Sequence, residues 1–556
     1  MKQNSRTLLL LGASLMQRPA IVEAKKLGCT VIAVDANPHA LCVPMVDYFE
    51  QIDLKDINSL ISFAKKLQND GGLSGVFTCA TDFSVSVSAI AESLSLPSHS
   101  LQSCKNASDK ALMRSVFAKH AIPSPRFIEV CETQDFLPSL IKDFSNTLVI
   151  KPADNMGARG CKLVKKDEEI SQAIKDAMPY SRSGRVIVEE FINGPEFSIE
   201  GLVFDGKVYI TALADRHIHF APYFVEMGHT IPSNYPKEIT DSIIKTFIEG
   251  TLALGLSHGA CKGDIFFDKN KEQAVIGEIA ARLSGGYMSG WTVPYSSSIN
   301  ITRLALQLAL GDAPDTFPSI PTKENTKCFC SERAYISAPG VVKQIIGDEK
   351  ARKSPHVMDV FPRIKEGDVV KFPQNNVEKC GNVIATDSTY QDAILASKNA
   401  LKNIVIRLEA NKKETDDFFF SFNNFASDQT VYPPNHFIFE DVKEGNLVDL
   451  IENSSYIVEE NLVYPAFFSP YLDTIREPNT STISESIKKA FEVETYLKTA
   501  IISLIENRDK KEANKLLTKC YIFFVRDGVQ GMLYWIDSYK KEIQAVLESC
   551  KKGCDL

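Results

Sequence analysis

The chain contains no run of 18 apolar residues, no Cys-x-x-Cys pair, no Gly-x-Gly-x-x-Gly turn and no Gly-Lys-Ser/Thr phosphate loop. The first absence argues against a membrane span, and the second against a zinc framework. The last two remove the dinucleotide fingerprint and the Walker-type NTPase loop. A basic excess is also missing: 62 Lys+Arg stand against 70 Asp+Glu, a net charge of −8. A dedicated nucleic-acid binder would show a basic stripe, although a local basic pocket for a phosphorylated ligand remains compatible with this balance. The 13 cysteines are odd in number and scattered. The nearest pairs, Cys328/Cys330 and Cys550/Cys554, have no metal-ligand spacing, so free thiols in a reducing cytoplasm are expected. The apolar start, Leu8–Leu11 after Lys2 and Arg6, is too short for a signal sequence. It breaks at Gly12 and meets Gln17-Arg18 instead of a small-residue cleavage site. It reads as a buried first strand.

What is present is ordinary globular chain: 556 residues, 44% hydrophobic and 24% charged. At roughly 150 residues each, that is three or four domains. Thr7–Leu11, a turn at Gly12-Ala13-Ser14, a helical pattern (Ala20, Ile21, Ala24, Leu27), then Thr30–Val34 ending at Asp35 open a doubly wound α/β domain. Gly75–Thr78 is a third strand, followed by Asp82 and a helix through Leu94. Ser108-Asp109 starts a further helix, with Ala111, Leu112, Val116 and Phe117 expected on one face.

Strand patterns then follow at Leu148–Lys151, Gly160–Val164, Arg185–Phe191, Glu196–Phe204, Lys207–Ala214, Gly259–Asp268 and Gln273–Ile279, with a helix over Thr240–Leu254. This is an antiparallel α+β pattern. Lys327–Glu409 reads as short strands punctuated by Pro339-Gly340, Gly347, Gly367-Asp368 and Gly381, with a helix near Tyr390–Ala400. After Lys412 the composition shifts to a Phe- and Asn-rich stretch with turns at Pro433-Pro434, Pro465, Pro470 and Pro478. A mainly helical tail follows, with Thr482-x-x-Glu485 as a capping box and helices over Glu512–Val525 and Met532–Ser549.

Three stretches carry chemistry. Val149-Ile150-Lys151-Pro152 runs into Asp154-Asn155-Met156-Gly157-Ala158-Arg159-Gly160. A lysine at a strand end and glycines in a loop let ammonium and backbone N–H groups approach an anion. Val188-Glu189-Glu190-Phe191-Ile192-Asn193-Gly194-Pro195-Glu196 reads as strand, turn and strand. It could present extended backbone to a purine edge, or be an ordinary β-hairpin with surface acids. Asp264 and Glu278 lie on apolar strands, where an unpaired carboxylate is costly. They suit Mg²⁺, a hard cation that combines one or two carboxylates with substrate phosphates, or else an ion pair with Arg282.

In this order, Lys110, Lys151, the glycine loop, Glu189–Glu196, Asp264, Glu278 and Arg282 resemble the ATP-grasp superfamily over about Thr7 to Glu409. The nearest likeness is to L-amino-acid-ligase-like carboxylate–amine ligases. The resemblance implies a fold of four parts: a pre-ATP-grasp α/β domain over 1–103, an ATP-grasp domain over 104–326, a β-rich ligase subdomain over 327–411, and a helical extra domain over 412–556. It implies ATP and Mg²⁺ as cofactors. Lys110, Lys151, Gly157, Ala158 and Gly160 would hold phosphates. Glu189, Glu190, Phe191 and Ile192 would form the adenine hinge, with Glu196 at the ribose. Asp264 and Glu278 would be the metal ligands, with Arg282 beside the acyl phosphate.

Phe224–Ser233 resembles the substrate-side loop of such ligases, which would turn Glu226 and His229 to the acceptor. The implied partners are a small carboxylate and an amine, with no nucleic acid and no membrane. The oligomeric state stays open, a homodimer being common among such ligases. Two departures stand out. Ala280 replaces the usual asparagine of Glu-x-Asn-x-Arg, and the tail after Lys412 has no family counterpart. Carboxyphosphate formation and a catalytically silent nucleotide-binding module are the alternative readings.

Overall fold

The computed structural model describes residues 6–132, 138–165, 167–314, 316–421, 431–439, 442, 447–474, 480–508 and 510–552. Pro478 and Cys554 lie outside them, as do the side chain of Cys550 and the Phe/Asn-rich stretch from residue 422. The chain divides into two compact units. The first comprises Met1–Ile218, Gly228–Glu332 and Ile384–Ile394; the second comprises His219–Met227, Arg333–Val383 and Leu395–Leu556.

The first unit opens with a four-stranded sheet in the order Tyr48–Gln51, Thr30–Asp35, Thr7–Leu11, Gly75–Phe77, with every pair parallel. The continuous apolar run Leu8–Leu11 occupies an inner position and is fully buried, as expected of a strand covered on both faces. The edge strand Tyr48–Gln51 and the helices Ile57–Asp70 and Leu101–Ser108 were not legible in the residue pattern. Asp109 caps the helix Lys110–Lys119 by accepting from the Leu112 N–H at 3.0 Å. On that helix Ala111 and Phe117 are buried but Leu112 is 41% exposed, a correction to the expected apolar face.

Two antiparallel sheets follow. One has the order Phe127–Val130, Val186–Glu190, Leu148–Pro152, Lys162–Val164. The other runs Gln273–Ala280, Gly259–Asp268, Glu196–Phe204, Lys207–His219 and continues into further strands, among them Val225–Ile231. Val186–Glu190 and Glu196–Phe204 therefore belong to different sheets. The ordinary-hairpin reading of this stretch is corrected: residues 191–195 are a connection between sheets. A second correction concerns Phe224–Ser233, expected as a loop, where Val225–Ile231 is a strand. Gly228, at φ 147°, is tolerated inside that extended run and does not break it.

The second unit contains a three-stranded sheet, Val369–Val370, Gly340–Ile346, Val405–Leu408. Its helices include Ile483–Val493 and Thr495–Glu506. Both halves of the Thr482/Glu485 capping box form. The helix Lys511–Lys552 is broken at Asp527 and Gly528, close to the expected gap between Val525 and Met532. Its interior is aromatic: Phe419 stacks on Phe523 at 4.7 Å and on Tyr534 at 5.0 Å. Trp535, Tyr521 and Phe524 are fully buried beside them. Among the described residues, no helix is long and apolar enough to cross a membrane.

Candidate functional site

The site is built from one helix and several strands of the first unit. Lys110 and Arg114 lie four residues apart on the helix Lys110–Lys119 and so share a face. Lys110 is 6% exposed; its ammonium donates to the Asn155 carbonyl at 2.8 Å and pairs with Glu278 at 3.3 Å. Burial alone would lower its pKa, but Glu278, Cys161 and Asp82 together raise it. Arg114, 1% exposed, donates to Glu189 at 2.8 Å and to the Gly277 carbonyl at 2.6 Å.

Glu189 is the hub. In the strand Val186–Glu190 it faces Val149, and Lys151 sits two residues further along the neighbouring strand. Positions two apart share a sheet face, and Lys151 reaches Glu189 at 2.6 Å. Burial works against the charged form of Glu189, yet Arg114 and Lys151 lower its pKa. Glu190 points to the other face. There Arg126 pairs with it and the Ser145 N–H donates at 3.1 Å, so Arg126 holds its pKa down.

The glycine loop joins two paired strands, Leu148–Pro152 and Lys162–Val164. Gly157, Ala158 and Gly160 all have positive φ, at 69°, 59° and 72°. At Gly160 an added Cβ would stand 2.8 Å from the Tyr180 ring. Of the connection after Glu190, Phe191 donates its N–H to the Thr147 carbonyl at 3.1 Å, and Ile192 is buried. Gly194 is required for close approach: a Cβ there would lie 1.8 Å from the Phe267 carbonyl oxygen. The Phe267 and Lys269 N–H groups bind the carbonyls of Pro195 and Asn193 at 3.0 and 3.2 Å. The connection is thus tied to the strand that carries Asp264.

Asp264 and Glu278 are direct cross-strand partners, with a bulge immediately after Asp264. Burial opposes the charge on Glu278, but Lys110, Lys262, Arg282 and Lys151 hold its carboxyl down at about 2. Asp264 pairs with Lys262, and with Arg216 at 3.0 Å. Arg216 also reaches Glu196 at 3.2 Å. The expected ion pair of these acids with Arg282 gives way to Lys110, Lys262 and Arg216. Ala280, 3% exposed, lies opposite Lys262 in the ladder. Lys262, opposite this position, turns its ammonium to Asp264.

Arg282 donates to the Leu283 carbonyl at 3.2 Å, and its buried Nε has no partner among the described residues. Neither has Nη1 of Arg114. Two orphaned cationic donors, two lysines and a facing carboxylate pair suit a polyanion carrying a divalent cation. Among the described residues no group of three or more His, Cys, Asp or Glu could hold a metal. The Asp264–Glu278 pair therefore fits Mg²⁺ whose remaining ligands are phosphate oxygens and water.

His229 lies in the first unit, 2% exposed. Its ring nitrogens meet Thr292 Oγ1 at 2.7 Å and Glu332 at 3.3 Å. Glu226 belongs to the second unit, where its N–H donates to Asn376 at 2.7 Å and its carbonyl accepts from Lys379 at 2.8 Å. Sequence reasoning missed Arg114, Arg216 and Lys262. Arg114 carried a usable signal, its i, i+4 spacing from Lys110. So did Lys262, two residues before Asp264 and hence on the same strand face.

The fold is that of an ATP-grasp domain, and two domain families match parts of the chain. The ATP-grasp domain family matches residues 144–290, and the L-amino acid ligase C-terminal domain 2 matches residues 334–409. The crystal structure of L-amino acid ligase from Bacillus licheniformis is similar at 20% identity and a TM-score of 0.63. It covers 73% of this chain and 100% of that one. Phosphoribosylglycinamide synthetase from Anaerococcus prevotii is similar at 22% identity and a TM-score of 0.57, with the same coverage. At these identities the likeness is one of fold. In sequence, the formate-dependent phosphoribosylglycinamide formyltransferase of Saccharolobus solfataricus is 22% identical over 416 residues, 73% of this chain and 98% of that protein.

Proposed function

We propose that the chain joins the carboxylate of an amino acid or small acid to an amine, using ATP and releasing ADP and phosphate through an acyl phosphate. One observation carries the reading: Lys110, Lys151, Arg114 and Arg282 gather around Glu189 and the Asp264–Glu278 pair within one unit. Phosphoryl transfer needs positioning and charge neutralisation more than a protein nucleophile, and that is what these groups offer. The amino-acid ligase choice over carboxyphosphate chemistry is supported by the match of residues 334–409 to an L-amino acid ligase domain.

In this reading Lys110 and Lys151 bind phosphate oxygens, helped by backbone N–H groups at Gly157, Ala158 and Gly160. Backbone at Glu189, Glu190, Phe191 and Ile192 reads the base, and Glu196 the ribose. Asp264 and Glu278 hold Mg²⁺, which when bound neutralises the phosphate charge. Arg282 stabilises the transferring phosphoryl group. A substrate carboxylate oxygen bonds to the γ-phosphorus as the bridge to the β-phosphate breaks. The amine nitrogen then bonds to the acyl carbon, phosphate leaves, and the amine loses a proton. The resemblance to amino-acid ligases assigns Glu226 and His229 each to the acceptor substrate, and His229 is held by Thr292 and Glu332.

The test is ADP release, with mass spectrometry of products, across amino acids and small carboxylates paired with amines. Product of added mass equal to a condensation is expected. Tight MgATP binding with no ADP from any pair would favour the catalytically silent module instead.

A further inference from the structure

The second unit contains a cavity of about 180 Å³, and every residue lining it belongs to that unit. It is smaller than the ~300–1,000 Å³ of ordinary ligand pockets, so a single small metabolite is its natural occupant. One wall is apolar, with Phe220, Met227, Ile336 and Phe372. The polar part includes Asp527, Lys489 and Gln530. None of the residues of the charged cluster in the first unit takes part.

Two opposite charges here are incompletely matched among the described residues: Asp527 accepts from the Ala338 N–H with one oxygen only, and Lys489 feels Glu492 without an ion pair to it. Asp527 sits where the helix Lys511–Lys552 breaks, and its buried Oδ2 has no hydrogen-bond partner among the described residues. Its neighbour Arg526 is engaged elsewhere. It donates to the carbonyls of Pro433, at 2.7 Å, and Phe418, and lies over the Phe418 ring at 4.2 Å. Lys489, on the helix Ile483–Val493, makes no hydrogen bond or ion pair among the described residues, whereas nearby Lys402 is matched by Glu485 at 2.9 Å. Burial and Lys350 lower the pKa of Lys489, and burial pushes Asp527 up to about 7. An acid and a base lining one small cavity without pairing leave room for a ligand between them. A buried unpaired charge is costly, and a ligand carrying the complementary charges would relieve both.

We propose that this cavity is a binding site for a free α-amino acid with an apolar side chain. The ligand ammonium meets Asp527, its carboxylate meets Lys489, and its side chain lies on the Phe220–Met227–Phe372 wall. A simple amine or a simple carboxylate satisfies only one of the two charges. The site is distinct from the catalytic cluster and stands whether or not the ligase reading holds.

The test is calorimetry and thermal shift on the full chain, near neutral pH and without nucleotide. The probes are L-leucine, L-isoleucine, L-valine, L-methionine and L-phenylalanine, with isopentylamine and isocaproate as half-ligands. At least one amino acid should bind, and both half-ligands should bind at least about tenfold more weakly, as loss of a charge-assisted contact implies. Asp527→Asn and Lys489→Met should each weaken binding by about tenfold or more, while Lys151→Ala leaves it unchanged. No binding by any probe, equal binding of a half-ligand, or affinity untouched by both variants would overturn the proposal. Should Asp527→Asn fail to fold, the half-buried Lys489→Met and the half-ligands still decide it.

Discussion

In the first unit Glu189 is buried between Arg114 and Lys151, and Glu278 is surrounded by four cationic side chains that hold its carboxyl near 2. In the second, Asp527 is buried at a helix break with one oxygen unmatched, and its carboxyl rises to about 7. Burial penalises all three acids; the charges and hydrogen bonds around them differ. The first arrangement keeps its carboxylates ionised among cations. The second leaves one carboxylate oxygen unmatched among the described residues.

The largest test of the contrast is Glu278→Gln. It removes the carboxylate that neutralises Lys110 and faces Asp264, and Mg²⁺-dependent ADP formation should fall by about 10²–10³-fold or more. Wild-type magnesium titration would break the assignment. Lys151→Ala should come next. It strips Glu189 of one of its two cations, so ATP affinity should be lost and stability should drop by about 1–3 kcal/mol in chemical denaturation. Unchanged ADP formation would refute its role.

In the second unit Gly528 has φ 54° and ψ −129°, and a Cβ there would lie 3.1 Å from the His436 ring. Gly528→Ala should therefore cost about 1–3 kcal/mol and leave the rate per folded molecule unchanged. The smallest effect sharpens the comparison through pH. Burial pushes the Asp527 carboxyl up to about 7 from its ordinary 3.8, so its favourable contribution is complete below the lower value and is lost as pH rises through the upper one. The groups around it are Arg526, His436, Lys402, Lys489 and Gln530. Asp527→Asn should match wild type near pH 4 and exceed it by about 1–2 kcal/mol above pH 7. A gain that is flat across that window would show the oxygen to be matched after all.

Much of the first unit was legible because its signals are local. The apolar run Leu8–Leu11, the cap at Asp109 and the strand pair around Asp264 and Glu278 each announce themselves within a few residues. The edge strand Tyr48–Gln51 was hidden because an edge needs no apolar run. Val225–Ile231 was hidden by Gly228, which reads as a break but tolerates an extended conformation. The acidic groups of the candidate site were legible together with Lys110, Lys151 and Arg282, whereas Arg114, Arg216 and Lys262 were missed. The pairing of these groups was not legible: Arg216 meets both Glu196 and Asp264 through sheet register, which no spacing along the chain reveals. The cavity at Asp527 was equally invisible, since its walls come from segments as far apart as Phe220 and Gln530.

Gly194 has a consequence beyond its own turn. Its backbone lies flush against Phe267, three residues from Asp264, so in the proposed reading the base-binding connection and the metal-binding strand would move as one part. Efforts to retune base preference by rebuilding residues 191–195 would register as losses of turnover even where the new base is well accommodated. Libraries aimed at that preference should hold position 194 fixed and vary Phe191 and Ile192.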